Sequence, residues 1–416
     1  MTVTSERRSA NHWPGLDALP TGPRARVSAR IARTLFETAV KRLDVTVHIG
    51  EETFGRGGPV MVVSRPDEFF LRLGRDQLIG FGEAYLTGAW DAEDLGGFLT
   101  VLAARMQHLI PEPLQKLRGL VVRKPPEEEL SSAENSRDNI AHHYDLSNDL
   151  FELFLDPTLS YSSGLFALDR LDGSATPADL ETAQVRKIER LLDQAGVTAG
   201  SRVLEIGSGW GELAIRAARR GATVRTITLS TEQKALAEAR IAAAGVSDQV
   251  VVELCDYRDV TGQYDAVVSV EMIEAVGWQF WQTYFETIDR VLAPRGRVAI
   301  QAITMPHDRM LATRNTYTWI NKYIFPGGFL PSVKVIDEIT RQHTGLRMVE
   351  GLSMGASYAE TLRLWDRTFL AASEQVLDLG FDQIFLRMWH FYLEYSRAGF
   401  ASGYIDVNQL TFAKNA

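Results

Sequence analysis

Apolar and polar positions change pattern along the chain, and from residue 136 onward they predict strands that alternate with helices. An apolar run at 202–206 predicts a strand, and a helical pattern follows at 212–220. The alternation continues with predicted strands at 222–228, 249–254, 265–270 and 297–303, and predicted helices at 231–244 and 279–292. This order predicts an α/β fold with a doubly wound, mostly parallel sheet.

The N-terminal part has a different pattern, which predicts a smaller α+β domain. Val27, Ile31, Leu35 and Val40 lie near helical spacing within 25–43. Short strands are expected at 45–49 and 60–64, and helical segments at 69–73, 79–85 and 98–106. Residues 1–20 show little periodicity and are expected to be disordered, so the domain is placed at 21–123.

The segment between the domains combines apolar, basic and proline-rich positions. At 102–124 an apolar stripe with basic flanks is interrupted by Pro111 and Pro113. Such a stripe either packs on its own domain or lies on a bilayer surface. Proline, charge and serine at 124–136 predict a linker.

The second domain is expected at 137–416, with an insertion at 304–345 that is rich in aromatic residues. Its aromatic side chains are expected either to line an acyl tunnel or to belong to the core: Trp319, Tyr323, Phe325 and Phe329.

Composition and charge exclude several classes of protein. The 416 residues are 45% hydrophobic and 23% charged, as in an ordinary globular protein, and Cys255 is the single cysteine. The net charge is -9, with a small excess of Lys and Arg confined to 1–125, so nucleic acid is not expected as a partner. No secretion signal or membrane-spanning run is seen, and we therefore expect a cytoplasmic protein.

A glycine-spaced turn follows the strand at 202–206. Gly207, Gly209 and Gly211 let the backbone approach a ligand that side chains would block. The G-x-G-x-G spacing lacks the tail of a pyrophosphate-binding fingerprint. A cofactor without phosphates, of which S-adenosylmethionine is the common one, fits better than NAD. A purely structural turn and another nucleotide are the alternatives.

Several further motifs occur together at the spacing of one family. The chain resembles the cyclopropane fatty acid synthases, including the mycolic acid methyltransferases, from residue 136 to about 410, and the N-terminal part resembles the extra domain of the longer bacterial synthases. The matching segments include 140–149, 161–163, 181–184, 203–211, 228–233, 256–259, 271–277, 319–326, 330–332 and Tyr358.

The resemblance implies a Rossmann-like methyltransferase that moves the methyl group of S-adenosylmethionine to a cis double bond of an acyl chain. The expected substrate is an unsaturated phospholipid, met by a peripherally bound enzyme at the inner face of the membrane. Exposed apolar surface in 25–125 can serve that membrane or a homodimer. Methylation of a small soluble molecule and a catalytically silent lipid- or cofactor-binding protein are the other hypotheses.

By the same resemblance, the cofactor lies between the glycine loop and the ends of the neighbouring strands. Glu205 is expected to orient the loop or the cofactor ammonium, while Ser230 or Thr231 is also expected to cap a helix. The residues expected to hold the cofactor are Tyr161, Ser162, Glu205, Gly207, Gly209, Gly211, Thr228, Leu229, Gln233, Asp256 and Tyr257.

The family's base is a bicarbonate ion, and this sequence departs from the residues that hold it. Glu274, Ile303 and Tyr358 match the family pattern. Four positions differ, with Ser163 in place of cysteine, Glu271 in place of glycine, and Ala275 and Gln301 each in place of histidine. The lost imidazoles should weaken binding of bicarbonate, although bicarbonate remains an alternative.

These departures lead to a hypothesis about the base. Glu271 lies one helical turn's spacing before Glu274, and repulsion between two carboxylates raises the pKa of one of them. Glu271 is thus expected to replace bicarbonate, with Glu274, Tyr358, Gln301 and Ser163 around it. A helix cap or a salt bridge is the structural alternative for Glu271.

The expected product is a methylene-branched chain, the precursor of 10-methyl fatty acids such as tuberculostearic acid. A separate reductase would saturate it, and ring closure to a cyclopropane is the alternative. His142 and His143 are adjacent and have no supporting Cys or second His pair, so no metal site is expected.

Overall fold

The computed structural model describes residue 13, residues 15–109, with the backbone alone at 106–109, and residues 147–414. The expectations for the N-terminal twelve residues, the linker at 124–136, the basic end of the stripe at 102–124, and His142 and His143 lie outside this range. None of the helices within the described ranges is long and apolar enough to cross a membrane.

The strands are numbered in chain order. They are β1 (Thr46–Ile49), β2 (Glu52–Gly55), β3 (Val60–Val63), β4 (Trp90–Ala92), β5 (Arg202–Ile206), β6 (Thr223–Thr228), β7 (Val250–Leu254), β8 (Tyr264–Val270), β9 (Leu292–Thr304), β10 (Leu346–Ser353) and β11 (Asp406–Lys414).

The α-helices are numbered in the same way. They are α1 (Gly22–Val40), α2 (Pro66–Asp76), α3 (Leu78–Leu86), α4 (Leu95–Leu109), α5 (Asn148–Glu152), α6 (Pro177–Gln194), α7 (Glu212–Arg219), α8 (Thr231–Ala243), α9 (Ile273–Val276), α10 (Trp281–Val291), α11 (His307–Thr313), α12 (Trp319–Tyr323), α13 (Val333–His343), α14 (Gly355–Ala371), α15 (Ser373–Asp378) and α16 (Gln383–Ala401).

The described chain divides into two compact units. The first contains the described residues up to 109 together with Thr318–Ile320 and Trp365–Ser402. The second contains 147–317, Asn321–Leu364 and 403–414. From the sequence, the two domains were expected at 21–123 and 137–416. The structure differs in one main respect, because the helices of 365–402 belong to the first unit. Aromatic packing provides the physical reason, as described for that unit below.

The second unit is built on a seven-stranded sheet in the order β10-β11-β9-β8-β5-β6-β7. The five strands from β9 to β7 are parallel, whereas β11 pairs antiparallel with both β9 and β10. The predicted strands from 202 to 303 and the helices between them are present within a few residues. Two further strands, β10 and β11, were not predicted from the sequence and make one edge of the sheet antiparallel.

Helices cover both faces of this sheet, because neighbouring residues of a strand face opposite sides. On β5, fully buried Val203 packs in a cluster with Leu191 of α6. The next residue, Leu204, is equally buried in a second cluster with Phe285 of α10 and Ile336 of α13. The doubly wound α/β fold is therefore confirmed, and the carboxyl ends of its parallel strands lie at one edge of the sheet, where open sheets of this type bind ligands.

The first unit is the small α+β region expected from the sequence. Its four strands have the order β2-β1-β3-β4, with β1 and β3 parallel. Fully buried Trp90 of β4 is the centre of its aromatic core, with ring centroids 4.5 Å from Phe81 and 5.1 Å from Tyr85. Phe391 of α16 packs on the same tryptophan and also on Trp319, at 6.4 and 4.7 Å. Trp319 is therefore a core residue of this unit.

Candidate active site

The glycine loop after β5 has the backbone that its sequence predicts. Gly207, Gly209 and Gly211 all have positive φ, at 93°, 47° and 91°, and Gly211 begins helix α7. A side chain at Gly207 would place its Cβ 2.6 Å from Cγ and Sδ of Met272, whereas a Cβ at Gly209 would meet open space. The loop is thus closed towards Met272 and open at its tip.

Two buried polar side chains near this loop each have one atom without a hydrogen-bond partner within the described ranges. Glu205 at the end of β5 is 3% exposed, and its Oε2 is unpartnered, as is the hydroxyl of equally buried Ser208. Burial raises the pKa of Glu205 to about 8, although the neighbouring Thr226 hydroxyl and the Lys187 charge act to lower it. Since buried polar atoms are normally satisfied, an unpartnered carboxyl oxygen and hydroxyl beside an open glycine loop fit a cofactor that carries an ammonium and other polar groups. S-adenosylmethionine has this chemistry.

The residues expected on the ribose side form their own network. Thr228 at the end of β6 donates to Oε1 of Gln233 at 2.9 Å, and both are buried. Ser230 caps helix α8 by accepting from the backbone N–H of Gln233, so the predicted helix cap is confirmed. Leu229 lies partly buried between them. Contact of Thr228, Leu229 and Gln233 with a ribose stays a prediction.

Asp256 and Tyr257 follow β7, as predicted. The carboxylate of Asp256 accepts from the backbone N–H of Arg258 at 2.9 Å and forms an ion pair with its guanidinium. Tyr257 packs edge-on against Tyr284 with ring centroids 5.3 Å apart, and burial raises its pKa to about 12. These contacts orient both residues, and their role towards adenine stays a prediction.

The segment 161–163 is held from one side by helix α6. Tyr161 packs edge-on against Phe151, with ring centroids 5.0 Å apart. The carbonyl of Ser162 accepts from Gln184 at 2.8 Å, and its hydroxyl bonds to the Lys187 ammonium at 2.6 Å. Burial lowers the pKa of Lys187 to about 8. The sequence analysis gave Gln184 and Lys187 no role, although they occupy positions on the otherwise apolar buried face of α6, which was the available signal.

Glu271 is the point where four separate segments meet. Its Oε1 accepts from the backbone N–H of Ser163 at 3.0 Å and from Nε2 of Gln301 at 2.8 Å. Its Oε2 accepts from the Tyr358 hydroxyl of α14 at 2.7 Å. The structure thus brings four of the five predicted catalytic residues into direct contact. Withdrawal from water raises the pKa of Glu271, and these three donors and the charge of Lys187 oppose that rise.

The backbone of Glu271 differs from the sequence-based picture. Helix α9 begins only at Ile273, and Glu271 precedes it with φ of 51°, in the left-handed region. The two carboxyl groups are therefore not related by a helical turn. A left-handed conformation costs a residue with a side chain about 1–2 kcal/mol, whereas glycine adopts it freely. Strain of this kind at a non-glycine residue is often found at functional sites.

Glu274, the fifth predicted residue, has a different environment. Its Oε1 accepts from the backbone N–H of Ile303, and its Oε2 has no partner among the described residues. Burial, and next the charge of Glu271, raise the pKa of Glu274 to about 8. The pair is therefore asymmetric: three donors favour the ionised form of Glu271, whereas burial and the charge of Glu271 favour the protonated form of Glu274.

The chain is similar over its whole length to characterised enzymes. The sequence profile of the mycolic acid cyclopropane synthetase family matches residues 131–410. Tuberculostearic acid methyltransferase UfaA1 of Mycobacterium tuberculosis is 51% identical over 100% of this chain and 99% of its own. Cyclopropane-fatty-acyl-phospholipid synthase of Escherichia coli is 34% identical over 85% of this chain and 87% of its own.

Solved structures agree with the fold. Mycolic acid cyclopropane synthase CmaA1, solved in complex with SAH and CTAB, is 31% identical and superposes with a TM-score of 0.61 over 69% of this chain and 100% of its own. Coclaurine N-methyltransferase, bound to N-methylheliamine and SAH, is only 15% identical, with a TM-score of 0.62 over 81% of this chain and 99% of its own. That likeness concerns the fold alone.

We expect Gly207→Ala to weaken binding of S-adenosylmethionine about tenfold, which corresponds to roughly 1.4 kcal/mol. The new Cβ would displace Met272 and strain the loop. Isothermal titration measures the dissociation constant. Gly245→Ala is the matched control, because Gly245 also has positive φ, 72°, but a Cβ there meets nothing within 4 Å. Equal affinities in the two variants would contradict a cofactor role for the loop.

We expect Glu274→Gln to stabilise the protein increasingly as the pH rises from 5 to 8. Between its usual pKa and about 8, Glu274 is ionised in the unfolded chain and protonated in the folded one, so wild-type stability falls through this window. Glutamine does not titrate, so the variant escapes this fall in stability, and its side-chain oxygen still accepts from the backbone N–H of Ile303. Thermal unfolding at several pH values measures the difference, with Glu374→Gln at an exposed position as control. A difference that does not depend on pH would show that Glu274 is ionised in the folded protein.

Proposed function

The chain belongs to the mycolic acid cyclopropane synthetase family, and from that premise we propose that it methylates the cis double bond of an unsaturated phospholipid acyl chain and releases a methylene-branched product. The full-length identity to a tuberculostearic acid methyltransferase supports the substrate and the reaction. A methylene branch is an alkene, so a separate reductase would be needed to reach the saturated methyl branch.

The observation that carries the proposal is the set of donors on Glu271. An anionic base held in this site would need the N–H of Ser163, the hydroxyl of Tyr358 and the amide of Gln301, and all three already donate to the Glu271 carboxylate. Bicarbonate therefore does not fit beside Glu271 on these groups. The carboxylate supplies the same chemistry, an oxyanion acceptor for a proton, from the protein itself.

Bound S-adenosylmethionine supplies an electrophilic methyl group, and the alkene is the nucleophile. The residues suited to hold the cofactor are the glycine loop, Glu205 and Ser208, whose unpartnered atoms lie beside it. The two electrons of the double bond form the new carbon–carbon bond as the carbon–sulfur bond to the methyl group breaks, with its electrons kept by sulfur, and the neighbouring chain carbon is left cationic. A negatively charged Glu271 stabilises that positive charge and accepts a proton in the next step.

Whether a hydride shift precedes the loss of the proton decides the product. If the transferred methyl loses a proton while its electrons close onto the cationic neighbour, a cyclopropane forms. If a hydride first moves from the methylated carbon to that neighbour, loss of the same proton leaves a methylene branch. Glu271 is fixed to the backbone at 163 and to Tyr358, so its carboxylate oxygens cannot move with the substrate as a free ion can. This fixed position favours a single product over a mixture.

Glu271→Gln should reduce methylated lipid about 100-fold or more, as expected for loss of a general base. Lipids from a host that expresses each variant would be quantified by mass spectrometry, with the branch position read after fragmentation. Glu286→Gln, at an exposed position of α10, is the matched control. Full activity in Glu271→Gln, or a ring-bearing product from the wild type, would sink the proposal.

Helix α1 offers a surface suited to membrane association. Val27, Ile31 and Leu35 are spaced four residues apart on one side of the helix and are 55%, 56% and 43% exposed. Exposed Arg24 and Arg30 lie next to this stripe. An apolar stripe with basic neighbours suits the surface of an anionic bilayer, where a peripheral enzyme would meet phospholipid.

The double variant Val27→Glu/Ile31→Glu is therefore expected to lose most of its sedimentation with phosphatidylglycerol vesicles, because two negative charges replace apolar contact. Val251→Glu, which charges an equally exposed valine on β7, controls for the added charge. Unchanged sedimentation of the double variant would argue against membrane docking through α1.

A further inference from the structure

We propose that Gln409 of β11 is a positioning residue, which acts through Gln301 to keep hydrogen-bond donation directed at Glu271. This inference rests on the proposed role of Glu271 as the base. It concerns a residue one step removed from the proposed base, since no described hydrogen bond joins Gln409 to Glu271 or to the glycine loop.

The two glutamines form a directly opposed pair on neighbouring strands. Gln409 of β11 lies opposite Gln301 of β9 in the antiparallel register. Nε2 of Gln409 donates to Oε1 of Gln301 at 3.1 Å, and Nε2 of Gln301 donates to Glu271 at 2.8 Å. Behind them, Nη1 of Arg190 donates to Oε1 of Gln409 at 2.7 Å. Both amides are essentially buried, at 0% and 1% exposed.

Each amide is fixed in one orientation by partners that can play only one role. Arg190 is only a donor, so it must face the oxygen of Gln409. Nε2 of Gln409 also donates to the carbonyl of Lys187 at 3.2 Å, and Nε2 of Gln301 to the carbonyl of Ser163 at 3.1 Å. Carbonyls only accept, so the nitrogen atoms cannot exchange places with the oxygens. The hydrogen bonds therefore all run in one direction, from Arg190 to Glu271.

The direction of this chain matters for the charge on Glu271. Hydrogen bonds in series polarise one another, and a donor at the end of the chain stabilises the ionised form of its acceptor. Gln301 accepts from Gln409 with its oxygen, which strengthens the donor that faces the carboxylate. The other charged or titratable groups that act on Glu271 are Lys187 of α6, Tyr358 of α14 and Glu274.

The chain offers two substitutions that separate donation from packing. Gln409→Glu keeps the size and the contact with Arg190 but presents a carboxylate where the oxygen of Gln301 requires a donor, so Gln301 loses the hydrogen bond that polarises its amide towards Glu271. Gln409→Met keeps the length of the side chain and removes both the donor to Gln301 and the acceptor for Arg190. Thr411→Val is the matched control. Thr411 lies two residues along β11 and donates to Gln194 of α6 at 3.3 Å, and no described hydrogen bond joins it to Gln301 or Gln409.

The test is the pH profile of kcat/KM with unsaturated phospholipid vesicles, together with isotope-edited infrared spectra of the carboxyl groups in the full chain without substrate. The acidic limb should move to higher pH by about one unit in Gln409→Glu and less in Gln409→Met, because the base is harder to ionise without the donor. Thr411→Val should keep the wild-type limb. The infrared band that disappears in Glu271→Gln should show the same displacement towards higher pH.

The outcomes separate this inference from the proposed function. A lower rate in the Gln409 variants with an unmoved acidic limb and an unmoved Glu271 band would mean that Gln409 only packs, and the inference fails. Full activity in Glu271→Gln would remove the base assignment, whereas the infrared titration would still decide whether Gln409 governs the charge of Glu271. If a Gln409 variant is too unstable for kinetic measurements, the infrared titration of Gln409→Met decides the question.

Discussion

A carboxylate withdrawn from water is stable only when hydrogen-bond donors replace the water, and at Glu271 this requirement ties together separate parts of the second unit. The donors come from the segment after Tyr161, from β9 and from α14. Each donor is in turn held by its own neighbours, among them Gln184 and Lys187 beneath the first segment and Gln409 beside Gln301. Because these segments converge on one carboxyl group, several elements of the second unit together fix its position, as the proposed chemistry requires of a proton acceptor.

The same requirement explains why the two neighbouring carboxyl groups differ in their hydrogen bonding. Glu271 has three donors, whereas Glu274 has one backbone donor and an unpartnered oxygen, and its pKa is raised to about 8. Placing both charges in the same pocket would add repulsion without further donors to offset it. The pair is therefore asymmetric, with donors that favour the ionised form at Glu271 and a raised pKa at Glu274 that favours the neutral acid beside it.

The strained backbone at Glu271 fits this account. Glycine at that position, as the family resemblance gives, would adopt φ of 51° without strain but would leave the three donors to an external anion. A glutamate is strained in this conformation, but its own carboxylate supplies the acceptor for the three donors. Under the proposed function, a side chain at the end of β8 takes the place of a bound ion, with donors from the segment at 163, from β9 and from α14.

The sequence by itself predicted the α/β fold, the glycine loop, a cap at Ser230 or Thr231 and three of the residues that contact Glu271, since apolar periodicity, turn chemistry and family motifs are local signals. It did not reveal β10 and β11, the boundary that assigns 365–402 to the first unit, or the left-handed backbone of Glu271. Gln409 shows the physical reason most clearly. It lies 108 residues after Gln301, in a strand whose role depends on antiparallel pairing with β9. Only the tertiary structure brings such distant amides into one buried, one-directional chain, because hydrogen-bond orientation depends on what surrounds a side chain in space rather than on what precedes it in sequence.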